Sequence, residues 1–347
     1  MNLLFIGIGR ICQRHIRNIK SKYKNLKVFC IKNKRSNLII TESKSQKGDV
    51  ISEYGLEPIS FDDINKKVKI DAAFICLPSH LHSKFFKILV EKKINIFLEK
   101  PGGINQFDIK LLKDCEKKIK KNNLKVMVGY HLRFHPMLLN LKKLIATNKV
   151  GRILNVLVEN GEHIADYRPF EKYWKKYHSK KKEGGGVLLN QIHDIDYFLE
   201  LFENYKFNLI NTFSGKISKL KITAEDTLSS NFLASNLKEK FLLTFLLNSY
   251  ERPQKRTIKI IGTKGKIFAD LQKGEIEIFN FNVHDNGILK SKKVYRRLLK
   301  NKVNRNNLFK NEVFYFINSI KINRPIDKRY GLERSIKTLS VGLKLKD

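Results

Sequence analysis

A pair of glycines follows the first apolar segment of the chain, where a strand would turn into a helix. Residues 3–8 are mostly apolar, and residues 11–19 carry apolar side chains at helical spacing. Glycines at such a turn permit a close backbone approach to a phosphate, and the helix N-terminus adds partial positive charge. The pattern predicts a dinucleotide-binding loop rather than an ordinary strand-to-helix turn. The loop has the frame G-x-G-x-x-[G/A], formed by Gly7, Ile8, Gly9, Arg10, Ile11 and Cys12.

Basic residues occupy the end of the second predicted strand. NAD-specific loops of this kind have an acidic residue there, which binds the ribose hydroxyls. Here the first acidic residue of the chain is Glu42, and the strand end carries Lys32, Lys34 and Arg35. Because cations at this point can hold a 2′-phosphate, the sequence favours NADP over NAD. The alternative is that these cations merely reflect a lysine-rich composition.

Short apolar strands alternate with helices through the first part of the chain. Such alternation is typical of a parallel, doubly wound sheet with right-handed crossovers. We therefore expect an α/β Rossmann domain over residues 1–129. Its further strands are predicted at 26–31, 70–77, 95–98 and 124–128, with helices within 33–49, through 85–89 and over 108–121.

Beyond Gly129 the strands become longer and the helices fewer. This change predicts a second, α+β domain over residues 130–347 with a large, mostly antiparallel open sheet. We expect it to bind substrate and to form a homodimer or homotetramer through that sheet. Strands are predicted at 153–159, 228–234, 241–247, 257–261, 267–270 and 275–279, and helices at 186–202 and 308–322.

The composition is globular but strongly basic. Hydrophobic residues make up 42% of the chain, whereas 69 Lys and Arg against 33 Asp and Glu give a net charge of +36. The lysines are spread along the chain, while nucleic-acid readers concentrate cations on one element, so we interpret the charge as compositional. This interpretation argues against a nucleic-acid partner, but it does not exclude an anionic substrate.

No apolar run approaches the roughly 18–20 residues of a membrane span, and the N-terminus lacks a signal-peptide pattern. We therefore expect no membrane partner and a cytoplasmic location. The 4 cysteines contain no C-x-x-C pair and predict neither a redox centre nor a zinc site.

Two further motifs combine with the glycine loop. Glu99-Lys100-Pro101 follows a predicted strand at the sheet edge where such folds bind ligands, and Leu77, Pro78 and His82 come one βα unit earlier. A glycine run at 184–186 precedes a helix with His193 and Asp196. The set resembles the glucose-fructose oxidoreductase, inositol dehydrogenase and MocA (Gfo/Idh/MocA) family over nearly the whole chain.

The resemblance implies roles for these residues. Lys100 would contact the nicotinamide ribose and the reacting oxygen, His193 would be the general acid/base, and Asp196 the acid three residues on. A near-neutral histidine suits this proton transfer, and an ammonium stabilises alkoxide character. Many members have an Asp where this chain has Leu189, which puts a second catalytic carboxylate in doubt. The resemblance adds Leu77, Pro78, His82 and Glu99, with Lys100, to the cofactor-binding set, and a structural role is the alternative for His82.

A closer resemblance is to a branch of surface-sugar or nonulosonate pathway enzymes. It is carried by the segment 129–136, GYHLRFHP, and by Asp166-Tyr167-Arg168-Pro169 with two later tyrosines. His131 and His135 within it have metal-ligand spacing, but without a third ligand we predict no metal. The alternative role for Arg168 is to cap a loop. The alternative role for the two tyrosines is to pack against neighbouring side chains. The implied substrate-binding residues are Lys100, Arg133, Arg168, Tyr173, Tyr177, Asn190 and His193.

The sequence thus predicts an NAD(P)-dependent oxidoreductase. It would transfer a hydride between nicotinamide and a carbinol or ketone carbon of a sugar, sugar acid or nucleotide sugar, in surface-glycan biosynthesis. One alternative is an NAD-dependent glycosidase on the same fold. Another is a non-catalytic cofactor-binding sensor or polyanion-binding protein.

Overall fold

In the computed structural model the chain forms two compact units. The first comprises Met1–His131, Lys182–Gly184 and Asn306–Ser340, and the second comprises Leu132–Lys181, Gly185–Arg305 and Val341–Asp347. Residues 306–340 thus pack with the first unit, whereas the sequence pattern predicts them to be part of the second domain. The structure describes residues 1–31, 37–41, 44–167, 171–283, 289–298 and 304–346.

The first unit contains a parallel, six-stranded Rossmann sheet of order β5-β2-β1-β6-β7-β8. Its central strands are apolar and buried throughout most of their length, as parallel strands covered on both faces must be. The elements are β1 (Asn2–Ile6), α1 (Arg10–Lys22), β2 (Lys27–Ile31), β3 (Leu38–Ile40), β4 (Ser45–Lys47), α2 (Val50–Tyr54), β5 (Glu57–Ile59), β6 (Ala72–Ile75), α3 (His82–Glu91), β7 (Asn95–Glu99), α4 (Gln106–Asp114), α5 (Glu116–Lys121) and β8 (Val126–Gly129).

The helix predicted within 33–49 is wrong for the described part of that segment. There the chain forms the antiparallel pair β3 and β4, and the helix starts only at Val50. The Asp49 side chain accepts a hydrogen bond from the Ile51 amide and so caps the helix at this later point. The helix predicted over 108–121 is likewise two helices, α4 and α5, which meet at Cys115.

The second unit contains an eight-stranded sheet of order β10-β11-β12-β9-β13-β14-β15-β16. Only the β12 and β9 pair is parallel, which confirms the mostly antiparallel open sheet. The elements are α6 (Pro136–Ala146), β9 (Ile153–Gly161), α7 (Val187–Asn190), α8 (His193–Leu201), β10 (Lys206–Gly215), β11 (Thr227–Ser235), β12 (Lys240–Asn248), β13 (Lys255–Gly262), β14 (Gly265–Asp270), β15 (Glu275–Val283) and β16 (Leu289–Leu298).

One face of this sheet is covered and the other is open. Phe198 of α8 packs edge-on against Phe245 of β12, with the ring centroids 5.4 Å apart. The opposite face carries large apolar side chains in solvent, among them Phe213 at 49% exposure and Leu246 at 40%. No helix in the described parts of the chain is long and apolar enough to cross a bilayer.

Two helices end the chain, α9 (Arg305–Lys321) and α10 (Leu332–Leu343). Phe316 of α9 packs edge-on against both Phe74 and Phe97 of the Rossmann sheet, each at 5.6 Å between centroids. The Val128 amide donates to the Tyr330 carbonyl at 3.1 Å. The C-terminal segment therefore completes the core of the first unit.

Candidate functional site

The glycine loop has the geometry that close backbone approach requires. Gly7 has φ +90°, and a Cβ there would lie 2.7 Å from the Cys76 carbonyl oxygen. Both the backbone conformation and the lack of space therefore exclude a larger residue. A Cβ on Gly9 would meet no atom within 4 Å. Gly9 precedes α1, whose first turn contains no acidic residue. This open space at a helix N-terminus fits the pyrophosphate of a dinucleotide.

Cys12 occupies the third small position of the loop frame and is fully buried. Burial, together with a contact from Cys12, raises the pKa of the neighbouring Cys76 thiol well above its usual value. Because the Cys12 thiol contacts the Cys76 thiol, the structure accommodates a cysteine at the position where the frame normally has Gly or Ala. Arg10 and Ile11 are half-buried in the same first turn.

The predicted phosphate-binding cations Lys32, Lys34 and Arg35 lie outside the described residues, as does Arg168. The preference for NADP and the substrate role of Arg168 therefore stay predictions. The last described residue before the three cations is Ile31, the end of β2.

His82 connects two backbone segments near the carboxyl edge of the sheet. Its Nδ1 lies 2.6 Å from the Pro101 carbonyl oxygen and its Nε2 lies 2.8 Å from that of Leu77. Burial lowers the pKa of this imidazole, so the neutral ring donates to only one of the two oxygens at a time. Both ring nitrogens thus contact backbone and connect the loops at Leu77-Pro78 and Pro101, and the contact of His82 with a cofactor stays a prediction.

Lys100 follows β7 at the carboxyl end of the parallel sheet and is half-buried. The preceding Glu99 ends β7, and its Oε1 lies 2.6 Å from Nε2 of His15. The E-K-P motif therefore lies at the edge where Rossmann sheets bind their ligands.

In the second unit, His193 is the first residue of α8 and is buried at 5% exposure. The predicted single helix over 186–202 is in fact α7 and α8, with a break at Gln191 and Ile192 just before this histidine. Gly186, with φ +111°, starts α7, and a Cβ there would lie 2.2 Å from a carboxylate oxygen of Glu225. The glycine run thus lets the chain pass Glu225 closely before the histidine helix.

Arg133 and Asp196, predicted separately as a substrate ligand and a catalytic acid, contact each other. Arg133 Nε donates to Asp196 Oδ2 at 2.8 Å and Nη2 donates to Oδ1 at 2.6 Å. Both side chains are 2% exposed. Because both carboxylate oxygens accept from the guanidinium, this geometry favours a structural role for Asp196 over proton transfer.

Asp194, next to His193, was not among the predicted site residues, yet several buried side chains bind it. It is fully buried and accepts from Asn160 Nδ2 and from the Tyr197 hydroxyl, each at 2.7 Å. Arg256 Nε lies 3.2 Å from its Oδ1. A buried charge must be paired, so an acidic residue directly beside the predicted catalytic histidine was the signal that could have found this cluster.

The remaining predicted substrate residues lie around the loop before the glycine run. Asn190 Nδ2 donates to the His178 carbonyl at 2.9 Å. The Tyr177 ring meets the His178 ring edge-on at 5.7 Å, and the Tyr173 hydroxyl accepts from the Lys221 amide at 3.3 Å. Tyr173, Tyr177 and Asn190 thus support the local loop, and their substrate contacts stay predictions.

The histidine pair at 131 and 135 makes other contacts. His131 stacks on Phe309 at 4.1 Å between centroids. His135 Nδ1 accepts from the Met137 amide at 3.2 Å and so caps α6. Burial and the nearby Arg256 lower the pKa of His135 to about 4.

Comparison with known proteins places the chain in a family. A sequence model of the oxidoreductase family with an NAD-binding Rossmann fold matches residues 1–130, and one of the GFO/IDH/MocA C-terminal domain matches residues 138–268. The chain therefore belongs to the GFO/IDH/MocA family of oxidoreductases, as the motifs predicted.

Individual relatives are distant. Inositol 2-dehydrogenase of Rhizobium meliloti is 25% identical over 65% of this chain and 64% of that protein. An uncharacterised oxidoreductase of Bacillus subtilis, YrbE, is 27% identical over 42% of this chain and 40% of its own length. The matches to these curated relatives thus span less than two thirds of their lengths.

Solved structures share the fold over the full chain. The Bordetella pertussis WlbA dehydrogenase, in complex with NADH and UDP-GlcNAcA, has a TM-score of 0.71 at 18% identity, covering 100% of this chain and 96% of that one. Scyllo-inositol dehydrogenase of Lactobacillus casei, with bound NAD(H) and scyllo-inositol, has a TM-score of 0.71 at 20% identity and the same coverages of 100% and 96%.

Proposed function

We propose that the protein is an NAD(P)-dependent dehydrogenase that acts on a carbinol or ketone carbon of a sugar, sugar acid or nucleotide sugar. The observation that carries the proposal is the geometry of the loop at Gly7 and Gly9. The backbone is closely packed at Gly7, whereas there is open space at Gly9, at the start of α1. The family membership and the names of relatives that act on inositol or hold a nucleotide sugar support the substrate class.

The bound nicotinamide would supply or accept the hydride. Gly7, Gly9 and the first turn of α1 would bind the pyrophosphate through backbone amides. Lys100 would orient the reacting oxygen and stabilise its developing negative charge. His193 would take the hydroxyl proton during oxidation and return it during reduction.

Asp196 has a different role in this proposal from the one the motif suggested. Its two oxygens are bound by Arg133, and the pair fixes α8, which begins with His193. We therefore propose Arg133 and Asp196 as positioning residues, while His193 alone moves the proton.

The finer predictions are part of the same proposal. Lys32, Lys34 and Arg35 would favour NADP by binding its 2′-phosphate. The open sheet face with Phe213, Leu242 and Leu246 would be buried against a second copy in a homodimer or homotetramer. A role in surface-glycan synthesis and a cytoplasmic location are predictions from the sequence.

The test is a binding titration followed by turnover. The purified protein is titrated with NADPH and NADH, and then supplied with inositols, sugar acids and UDP-sugars while the reduced cofactor is followed by absorbance. We expect binding, and turnover that falls at least about 100-fold in Lys100→Ala and His193→Asn, since each removes a group acting at the reacting oxygen. Absence of cofactor binding would contradict the proposal, and product without net cofactor turnover would favour the glycosidase alternative.

A further inference from the structure

One histidine and two carboxylates are buried together beneath the E-K-P motif. His15 and Glu312 are 0% exposed, and Glu99 is 7% exposed. One ligand atom from each lies within 4.8 Å of the other two. His15 belongs to α1, Glu99 ends β7 and Glu312 belongs to α9, so three elements of the first unit meet at this cluster.

The contact between His15 and Glu99 lies in apolar surroundings. The His15 ring meets Phe97 edge-on at 5.2 Å, and the rings of Phe74 and Phe309 lie 6.0 Å and 6.1 Å away. A hydrogen bond among aromatic rings is little weakened by water. The contact with His15 Nε2 therefore gives the Glu99 side chain a hydrogen-bond partner where an unpaired polar group would be costly.

This hydrogen bond joins two parts of the proposed cofactor site. His15 lies on the second turn of the helix that starts at the glycine loop, and Glu99 immediately precedes Lys100. We propose that His15 is a positioning residue: by binding Glu99 it holds the end of β7, and with it Lys100, in place relative to the glycine loop. The catalytic importance of Lys100 rests on the proposed function, but its placement can be tested without turnover.

A metal centre is the competing use of the same three residues. Zinc ligands at about 2.0–2.1 Å in tetrahedral geometry lie roughly 3.3 Å apart. The 2.6 Å between His15 Nε2 and Glu99 Oε1 is instead a hydrogen-bond distance. The geometry thus favours a hydrogen bond between the two side chains over a metal ion.

The experiment compares His15→Gln, whose amide nitrogen can still donate, with His15→Leu, which cannot. The rate at which an amine reagent modifies Lys100 is measured by mass spectrometry over a range of pH, with the exposed Lys87 of α3 as internal control. We expect His15→Leu to change the Lys100 rate by about tenfold, which is the size expected for loss of one buried hydrogen bond, and His15→Gln to stay near wild type. Lys87 should react equally in all three.

Equal Lys100 rates in wild type and His15→Leu would overturn the proposal, as would His15→Gln behaving like His15→Leu. Stoichiometric metal in the wild type, measured by elemental analysis and lost in both variants, would also overturn it. Should His15→Leu fail to fold, His15→Asn replaces it, because its amide is one methylene too short to reach Glu99. NADH titration of the same samples tests the proposed function separately from the positioning role of His15. If the wild type does not bind NADH, the proposed function is refuted, while the Lys100 rates still test the role of His15.

Discussion

Arg133 and Asp196 form a bidentate ion pair in which both side chains are 2% exposed, although 63 residues separate them in the chain. Breaking a buried pair by removing one charge leaves the other without compensation. The pair therefore ties the segment after β8 to the helix that begins with His193.

Asp196→Asn is expected to lower the free energy of unfolding by about 3–5 kcal/mol, measured by urea denaturation, because it leaves Arg133 charged and buried. The double variant Arg133→Met/Asp196→Leu should recover much of that loss, since it removes both charges. An Asp196→Asn protein of wild-type stability that has lost turnover would instead return Asp196 to the role of catalytic acid.

The two glycines of the loop should respond differently to alanine. Gly9→Ala adds a Cβ in open space, so it should leave the unfolding temperature nearly unchanged but weaken NADH or NADPH binding by about tenfold or more, because it occupies the space of the pyrophosphate. Gly7→Ala, the matched comparison, should lower both stability and binding, since its Cβ meets the Cys76 carbonyl. Unchanged cofactor binding in Gly9→Ala would contradict the assignment of the loop.

His135 predicts a pH dependence of stability. Burial and Arg256 lower its pKa from 6.5 to about 4 in the folded protein, so the unfolded chain binds the extra proton first as the pH falls. The contribution of the neutral His135 to the free energy of unfolding is fully present above pH 6.5. It is lost progressively as the pH falls from there toward 4, by up to about 3 kcal/mol. Urea denaturation between these pH values checks it. His135→Asn, which keeps an acceptor for the Met137 amide, should show the shallower slope, and equal slopes would refute the assignment.

Lys32→Ala tests the cofactor preference. If Lys32 binds the 2′-phosphate, NADPH affinity should fall about tenfold while NADH affinity stays unchanged, because only NADPH carries that group. Lys27→Ala, an exposed lysine at the start of the same strand, is the control and should change neither. Equal affinities of the wild type for both cofactors would remove the basis for preferring NADP.

Local patterns were sufficient to predict most of the Rossmann strands and the glycine loop. They missed β10 and β16, because β10 is exposed at an edge of its sheet and β16 is rich in lysine and arginine, which hides the alternation of a strand. They also missed α6, α10, the short strands β3 to β5 and the position of α2.

Side-chain partners were harder to predict than elements. The pairing of Arg133 with Asp196, and of Asp194 with Asn160 and Arg256, depends on which strands and helices meet, and residue spacing carries no information on that. The sequence shows each charged residue, but it does not show which of them form ion pairs with each other. The sequence therefore predicted a substrate-binding role for Arg133 and a catalytic role for Asp196, although the two side chains bind each other.

The return of residues 306–340 to the first unit bears on how the protein is made. Phe316 fills the space beside Phe74 and Phe97, and the Tyr330 carbonyl accepts a hydrogen bond from the Val128 amide, so the nucleotide-binding unit lacks part of its core until residues 306–340 have left the ribosome. Its sheet can pair early, but part of its apolar surface stays uncovered until then. The nascent chain is thus exposed to aggregation for longer than a domain encoded in one continuous segment would be.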